Sequence, residues 1–184
     1  MSGLKNKKGN IYLTGYRASG KTTLAGEIAG KTGLTRVDTD ELLQQEQGRS
    51  IQEIVAEHGW EHFRELESKV LQRTAGSVPM VVATGGGVVL ESVNRELLKD
   101  SRHLTVYLQA DADLIFSRLA EDPKPGQRPA LSDLDFKEEI NVTLEKRQVL
   151  YRECADVVLA ADQPLELLAE EVSRIYLNNQ QEGK

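Results

Sequence analysis

The stretch that decides the fold is Gly15-Tyr16-Arg17-Ala18-Ser19-Gly20-Lys21-Thr22, which follows the apolar run Ile11–Thr14. A glycine, four residues, a second glycine, a lysine and a threonine form the pattern of a phosphate-binding loop. The glycines let backbone N–H groups converge on phosphate oxygens, and the next helix directs its positive end at the same anion. Because helix-forming Thr23-Leu24-Ala25 follows, the pattern predicts a strand, a nucleotide-binding loop and a helix in succession.

Two side chains of this loop have separate expected tasks. Lys21 places a positive charge between the β- and γ-phosphates of ATP, and the Thr22 hydroxyl is a ligand for Mg²⁺. The loop indicates nucleotide binding but leaves the reaction open, because GTPases, mechanical ATPases and small kinases share it. The chain is too short for a motor, and it has no Asn-Lys-x-Asp stretch of the guanine-specific kind. The loop residues expected to contact the nucleotide are Gly15, Ala18, Ser19, Gly20, Lys21, Thr22 and Thr23.

Short apolar runs alternate with helical patterns along the whole chain, which favours an α/β fold with a mainly parallel sheet. Ser50-Ile51-Gln52-Glu53 is a capping box that opens a helix, and Gly59 should end this helix. A second helix is predicted from Trp60 to about Ala75. The predicted strands are Ile11–Thr14, Thr35–Val37, Met80–Ala83, His103–Leu108 and Asp156–Ala160.

Length and composition indicate one cytoplasmic domain. The 184 residues are 39% hydrophobic and 28% charged, and the net charge of −6 argues against a nucleic-acid-binding surface. No apolar run reaches the roughly 18 to 20 residues of a membrane span. Residues 1–9 are predicted to be a mobile tail rather than a signal peptide. The single cysteine, Cys154, fits a reducing cytoplasm and is predicted to be a packed small hydrophobe.

Charged residues stand at positions where ligands bind in an open α/β sheet. Asp38 and Asp40 follow the second predicted strand, where they could cap a helix or hold Mg²⁺ and a substrate hydroxyl. Arg64 and Arg147 lie on helix faces that should be apolar, so each guanidinium must reach water or meet an anion. Glu67 is a ready partner for Arg64, but two such arginines suggest a pocket for a carboxylated substrate.

Two glycine- or proline-rich segments also point to a site. Gly85, Gly86 and Gly87 directly follow the third predicted strand, and this run suggests backbone that lies against a ligand. The segment from Ala120 to Pro129 has three prolines and a glycine among charged residues, so it is predicted to be an exposed loop that acts as a lid.

Taken together, these motifs resemble those of the shikimate kinases over nearly the whole chain, from Ile11 to about Ile175. The shared motifs are the phosphate-binding loop, Asp38-Thr39-Asp40, Phe63-Arg64-Glu65-Leu66-Glu67, Gly85-Gly86-Gly87, and Arg128-Pro129-Ala130-Leu131 followed by Arg147 and Leu150-Tyr151-Arg152. The resemblance implies a three-layer P-loop NTPase domain over residues 1–184, with a five-stranded parallel sheet in the order 2-3-1-4-5. A substrate-binding region at about residues 38–75 and a lid at about residues 120–131 are implied as well.

The resemblance also implies roles for individual residues. Shikimate would be held by Asp40, Arg64, Gly85, Gly86, Gly87 and Arg147, with the two arginines on its carboxylate and Asp40 on its hydroxyls. Asp38 and Thr22 would support Mg²⁺. Arg128 would close over the phosphates, Arg118 would pack against the adenine, and the loop with Gln163 would frame that base.

The expected reaction is in-line transfer of the ATP γ-phosphoryl group to the 3-hydroxyl of shikimate in chorismate biosynthesis. Lys21, Asp40 and Arg128 are the expected catalytic residues, with Asp40 as the proton acceptor. The alternatives are a kinase of another small polyol acid such as gluconate, and a non-catalytic nucleotide-binding module. The partners expected are shikimate and ATP, with no nucleic acid and no membrane, and the chain is expected to be a monomer.

Overall fold

The structure, a computed structural model, describes residues 7–76, 78–121 and 135–181. The strands are β1 (Ile11–Thr14), β2 (Thr35–Asp38), β3 (Met80–Ala83), β4 (Leu104–Gln109) and β5 (Val157–Ala160). The helices are α1 (Lys21–Thr32), α2 (Thr39–Gln47), α3 (Ile51–Thr74), α4 (Ser92–Leu98), α5 (Ala112–Glu121), α6 (Phe136–Cys154) and α7 (Leu165–Gln181), with a 3₁₀ turn at Val88–Leu90. None of the described helices has the length and hydropathy that a membrane span requires.

The five strands form one parallel sheet in the order β2-β3-β1-β4-β5, which confirms the implied topology. β1 lies in the centre, and all of its residues are buried. In such a sheet, ligands bind beyond the carboxyl ends of the strands, where the chain order reverses. The loops after β1, β2 and β3 therefore meet at one edge of the sheet.

Helices cover both faces of the sheet, as the nearly continuous apolar strands predict. Ile11 and Leu13 face a cluster formed with α1, α5 and α7, whereas Tyr12 faces a cluster formed with α3, α4 and α6. Cys154 is buried in the second cluster, and burial raises the pKa of its thiol to about 11. The prediction that this cysteine is a packed hydrophobe is confirmed.

A separate apolar cluster joins α2 to α3 and supports the region predicted to bind substrate. Ser50 caps α3 in the predicted capping box, since its hydroxyl accepts from the Glu53 amide while the Glu53 side chain accepts from the Ser50 amide. The helical path breaks at Gly59, whose φ of 79° lies in the left-handed region that favours glycine. The predicted helix end at Gly59 and the second helix after it are therefore confirmed.

Several sequence-based boundaries need correction. β2 extends to Asp38 and β5 begins at Val157, each one residue from its predicted bound. Residues 7–9 belong to the folded domain rather than to a mobile tail, because Lys7 is buried and pairs with Asp156 at 2.7 Å. β4 begins at Leu104 because His103 is turned to accept a hydrogen bond from the Asn10 amide. α5 continues through Glu121, so the proline-rich segment starts later than predicted. The rest of the predicted lid, with Arg128, lies outside the described residues.

Candidate active site

The phosphate-binding loop has the backbone geometry that its sequence predicts. Gly15 and Gly20 have φ values of 143° and 104°, and Ala18 is also left-handed at 61°. A Cβ on Gly15 would lie 2.6 Å from the Leu108 carbonyl oxygen, so any other residue would push the loop off the sheet. No side chain caps the start of α1, which leaves the first amide groups of this helix available for an anion.

Lys21 is folded back onto the backbone of the phosphate loop. Its Nζ donates to the carbonyl oxygens of Gly15 at 2.9 Å and Tyr16 at 2.7 Å. Burial lowers the pKa of Lys21 to about 8, against the opposing effect of the nearby carboxylates of Asp40, Asp38 and Glu67. A phosphate group arriving here would meet a cation that burial has left poorly solvated, so the attraction would be strong.

Asp38 performs two tasks at the start of α2. Its Oδ1 accepts from the amides of Asp40 and Glu41, as a helix cap does, and its Oδ2 accepts from the Thr22 hydroxyl at 2.7 Å. The capping and the metal-binding interpretations of Asp38 are thus compatible. Hydroxyl and carboxylate oxygens are ligands that Mg²⁺ prefers, and this ion usually takes only one or two of them from a protein. Thr22 and Asp38 therefore fit a magnesium site beside the phosphate loop.

Two further carboxyl groups lie next to Lys21 in the pocket, that of Glu67 fully buried and that of Asp40 with its Oδ1 buried. Glu67 is 1% exposed, and Asp40 Oδ1 and Glu67 Oε1 have no hydrogen-bond partner among the described residues. Burial, with a smaller contribution from the carboxylates of Glu67 and Asp38, raises the pKa of Asp40 to about 7, while Lys21 and Arg64 oppose the shift. Burial also raises the pKa of Glu67, against the effect of Arg64. Asp40 therefore presents to the pocket a carboxyl group with a pKa of about 7 and with one oxygen that has no hydrogen-bond partner among the described residues.

The two arginines singled out in the sequence come from different helices and line the same pocket. Arg64 pairs with Glu67 at 2.6 Å, and its guanidinium carbon lies 5.2 Å from the centre of the Trp60 ring and 5.1 Å from that of Phe63. Arg147 is 9% exposed and donates to the Gly86 carbonyl at 3.1 Å. A buried guanidinium without an anionic partner in the described part of the chain is suited to binding one from solution.

The triple glycine is required by neighbouring protein groups. A Cβ on Gly85 would collide with the carboxyl oxygens of Glu67 and Asp40, and one on Gly87 would collide with the Arg64 guanidinium. A Cβ on Gly86 would lie 3.1 Å from the Arg17 amide nitrogen. The sequence argument attributed these glycines to a ligand, and that contact stays a prediction. The structure adds a second reason for them, since they also make room for side chains and backbone that line the pocket.

The family assignment follows from comparison with known proteins. The family model for shikimate kinase matches residues 17–177. This chain belongs to the shikimate kinase family. Family members are ATP-dependent phosphotransferases that act on an alcohol, and this chain is one of them.

Individual relatives agree with the family assignment. The chain is 42% identical to shikimate kinase 2 of Yersinia enterocolitica and 37% identical to the shikimate kinase of Nitratidesulfovibrio vulgaris. Each match covers 90% of this chain and 94% of the relative. The solved structure of the shikimate kinase from Acinetobacter baumannii in complex with shikimate has a TM-score of 0.85 and 31% identity, over 95% of this chain and 96% of that one.

A second cleft in this shikimate kinase family member lies on the other side of the phosphate loop. Arg118 spans it, donating to the Ala18 and Ser19 carbonyls at 3.3 and 2.9 Å and to the Ala161 carbonyl at 2.9 Å. Gln163 and Thr23 line the same cleft. The structure therefore brings the predicted nucleotide contacts together, apart from Arg128.

Several residues of the pocket were not predicted as site residues. Trp60 and Phe63 were assigned to a core stripe, yet they line the pocket and hold Arg64. Trp60 and Phe63 lie next to Arg64 on one helix face, and that proximity could have indicated in the sequence that they belong to the pocket. Arg17 forms an ion pair with Glu139 of α6, which is 122 residues away in the sequence. No local sequence pattern predicts this contact.

Replacing Gly87 with alanine tests the packing of the triple glycine. The new methyl group would displace the Arg64 guanidinium, so we expect KM for the acceptor to rise at least tenfold with little change in KM for ATP. Gly26→Ala is the matched control, because a Cβ at this helical position meets nothing within 4 Å and should stabilise α1 by about 0.5–1 kcal/mol. Steady-state kinetics in which Gly87→Ala behaves like the control would contradict the collision.

Proposed function

We propose that this chain transfers the γ-phosphoryl group of ATP to the 3-hydroxyl of shikimate, giving shikimate 3-phosphate and ADP. The observation that carries the proposal is the pocket in which Asp40, Arg64 and Arg147 stand beside Lys21 of the phosphate loop. In this pocket, Asp40 would accept a proton and the two arginines would bind a carboxylate, beside the loop that would bind phosphate. A small carboxylated alcohol has complementary groups.

The nucleotide side of the reaction is assigned to the loop and the second cleft. Gly15 to Thr23 would surround the phosphates, while Arg118 and Gln163 would border the adenine. Thr22 and Asp38 would hold Mg²⁺, which neutralises phosphate charge when it is bound. Arg128, outside the described residues, is proposed to close over the phosphates.

The acceptor side is assigned to the groups that face Lys21 across the pocket. Arg64 and Arg147 would bind the shikimate carboxylate, and Gly85 to Gly87 would line its ring. Asp40 would hold the hydroxyls and accept the proton of the attacking one. Because phosphoryl transfer has a loose transition state, positioning by these groups and charge neutralisation by Lys21 would supply most of the rate.

A release assay for ADP with shikimate, gluconate and quinate side by side tests the proposal. We expect turnover with shikimate at a kcat/KM at least a hundredfold above that for gluconate, because paired arginines and a rigid glycine turn favour a rigid cyclic carboxylate. Preferred turnover of gluconate would select the rival kinase. No turnover with any of the three would favour a non-catalytic module, although Lys21, Asp38 and Asp40 are all in place.

The arrangement of the chain beyond this site is also a proposal. We infer a single kinase domain, with residues 38–75 as its substrate-binding region and a lid at about residues 120–131. A cytoplasmic monomer remains our prediction for its state in the cell. Analytical ultracentrifugation of the purified chain, with and without both substrates, measures the oligomeric state directly.

Replacing Arg64 with alanine should raise KM for shikimate by about a hundredfold and leave KM for ATP unchanged. A lost charge-assisted contact to a carboxylate has this size. Arg73→Ala is the matched control, since Arg73 lies on the same helix and pairs with Glu46 at the surface. An unchanged KM for shikimate would mean that Arg64 serves only as the partner of Glu67.

A further inference from the structure

One backbone carbonyl in the substrate pocket receives two hydrogen bonds from the same helix. The Tyr151 hydroxyl and Arg147 Nη1 both donate to the Gly86 oxygen. The two donors are four residues apart on α6, so they lie one above the other on a single face of this helix. A carbonyl oxygen has two lone pairs, and both are used here.

Tyr151 is held more firmly than a hydrogen bond alone requires. Its side chain is fully buried, and its ring stacks on that of Tyr107 in β4 with 5.0 Å between centroids and 22° between planes. Burial raises the pKa of the Tyr151 hydroxyl, so this group stays protonated and acts as a donor at any working pH. The Tyr151 hydroxyl therefore ties the Gly86 carbonyl to a ring that is itself held against β4.

Arg147 depends on that same carbonyl for its orientation. Within the described residues, it donates to the Gly86 oxygen, it lies within hydrogen-bonding reach of the Tyr151 hydroxyl, and it forms no ion pair with a carboxylate there. An arginine side chain has several rotatable bonds, and fixing its guanidinium before the ligand arrives lowers the entropy cost of binding. The position of the Gly86 carbonyl therefore helps to determine the position of the Arg147 guanidinium.

The same peptide plane controls a second donor. In a trans peptide, the N–H of Gly87 points opposite to the carbonyl of Gly86, hence away from α6. Neither the Gly86 nor the Gly87 amide donates to another described group of the protein. Three successive glycines have little intrinsic stiffness, so an anchor on this peptide is needed to keep these donors in one orientation.

We propose that Tyr151 is a positioning residue for the acceptor carboxylate, which acts by pinning the Gly86–Gly87 peptide and, through it, Arg147. The inference rests on the proposed function, since it names the group that prepares that site for its substrate. A purely structural tyrosine is the alternative. It would contribute to stability, but it would leave the affinity for shikimate unchanged.

Tyr151→Phe tests the proposal because it removes only the hydroxyl and keeps the stacked ring. We expect KM for shikimate to rise about tenfold, while kcat and KM for ATP change less than twofold. Trp60, the single tryptophan, lines the pocket, so its fluorescence should report a matching rise in the shikimate dissociation constant. Tyr107→Phe is the matched control, since its hydroxyl has no hydrogen bond in the described structure, and it should leave every constant unchanged.

Coupling to Arg147 provides the second measurement. If the hydroxyl acts through the guanidinium, Tyr151→Phe and Arg147→Lys together will raise KM by less than the product of their separate effects. Independent effects on KM, or a Tyr151→Phe enzyme that loses thermal stability with no change in shikimate affinity, would overturn the proposal. Failure of the wild-type chain to phosphorylate shikimate would instead refute the proposed function, so the two failures are distinguishable.

Discussion

Asp40→Asn should abolish phosphoryl transfer and stabilise the fold at the same time. Asparagine keeps the shape of the side chain but cannot accept the hydroxyl proton, so we expect kcat to fall at least about a thousandfold. Calorimetric titration should still show ATP binding, because the phosphate loop and the nucleotide cleft are intact. Substantial turnover in this variant would refute Asp40 as the proton acceptor.

The stability gain follows from the raised pKa of Asp40. The folded protein holds this proton up to about pH 7, whereas the unfolded chain releases it near the ordinary value of 3.8. Folding therefore becomes less favourable as the pH rises from about 4 to 7, by an amount that approaches roughly 4 kcal/mol. The amide is also buried and recovers only part of this amount, so we expect a gain of about 2 kcal/mol above pH 7.

Thermal denaturation of the wild type and of Asp40→Asn over a range of pH measures this linkage. The difference in Tm should be several degrees at pH 8 and should vanish below about pH 3, where the carboxyl group is neutral in both the folded and unfolded states. Asp113→Asn, at an exposed position on α5, is the control for a simple change in charge. A Tm difference independent of pH would show that the gain has another origin.

Lys21→Met should have the second largest effect. Methionine keeps much of the length but removes the charge that would bridge the phosphates, so we expect kcat to fall about a thousandfold or more and ADP binding to weaken. Lys31→Met is the matched control, because Lys31 lies on the same helix in a partly exposed pair with Glu170 at 3.8 Å. A kcat within tenfold of the wild type would contradict the role of Lys21.

A proton count gives an independent test of Lys21. With a pKa of about 8, roughly half of the Lys21 side chains are neutral at pH 8 in the free enzyme. Bound phosphates favour the charged form, so ATP binding should take up about half a proton at this pH. Titrations in buffers of different ionisation enthalpy should reveal this uptake in the wild type and not in Lys21→Met.

The phosphate loop and the helix signals were predictable because their causes are local. The phosphate loop before α1, a capping box at Ser50 and a break at Gly59 each depend on a few neighbouring residues, and all three are found where the sequence places them. The strand runs were predictable for a similar reason, since apolar segments of four to six residues suit a sheet buried on both faces. The strand order came from the family resemblance rather than from the residues themselves.

The candidate site was only partly predictable. The sequence identified Arg64 as out of place on an apolar face, but it could not decide between an internal ion pair and a substrate contact. The structure shows that Arg64 pairs with Glu67 and also lines the pocket, so the ion pair does not exclude a substrate contact. Burial likewise converts Asp40 from an ordinary aspartate into a group with a pKa of about 7, and burial is a property of the folded chain.

The sequence by itself thus determined the phosphate loop, the α/β class and the family, because these depend on short patterns whose physics is complete within a few residues. The tertiary structure alone decided why Gly85 and Gly87 must lack a side chain and why Tyr151 matters. Those answers depend on contacts between the glycine turn and residues distant from it in sequence, namely Arg64 and Glu67 of α3 and Tyr151 of α6. These contacts form only when α3 and α6, which cover the same face of the sheet, pack beside that turn. The sequence gives the identity of each residue, but which residues are in contact depends on the folded structure.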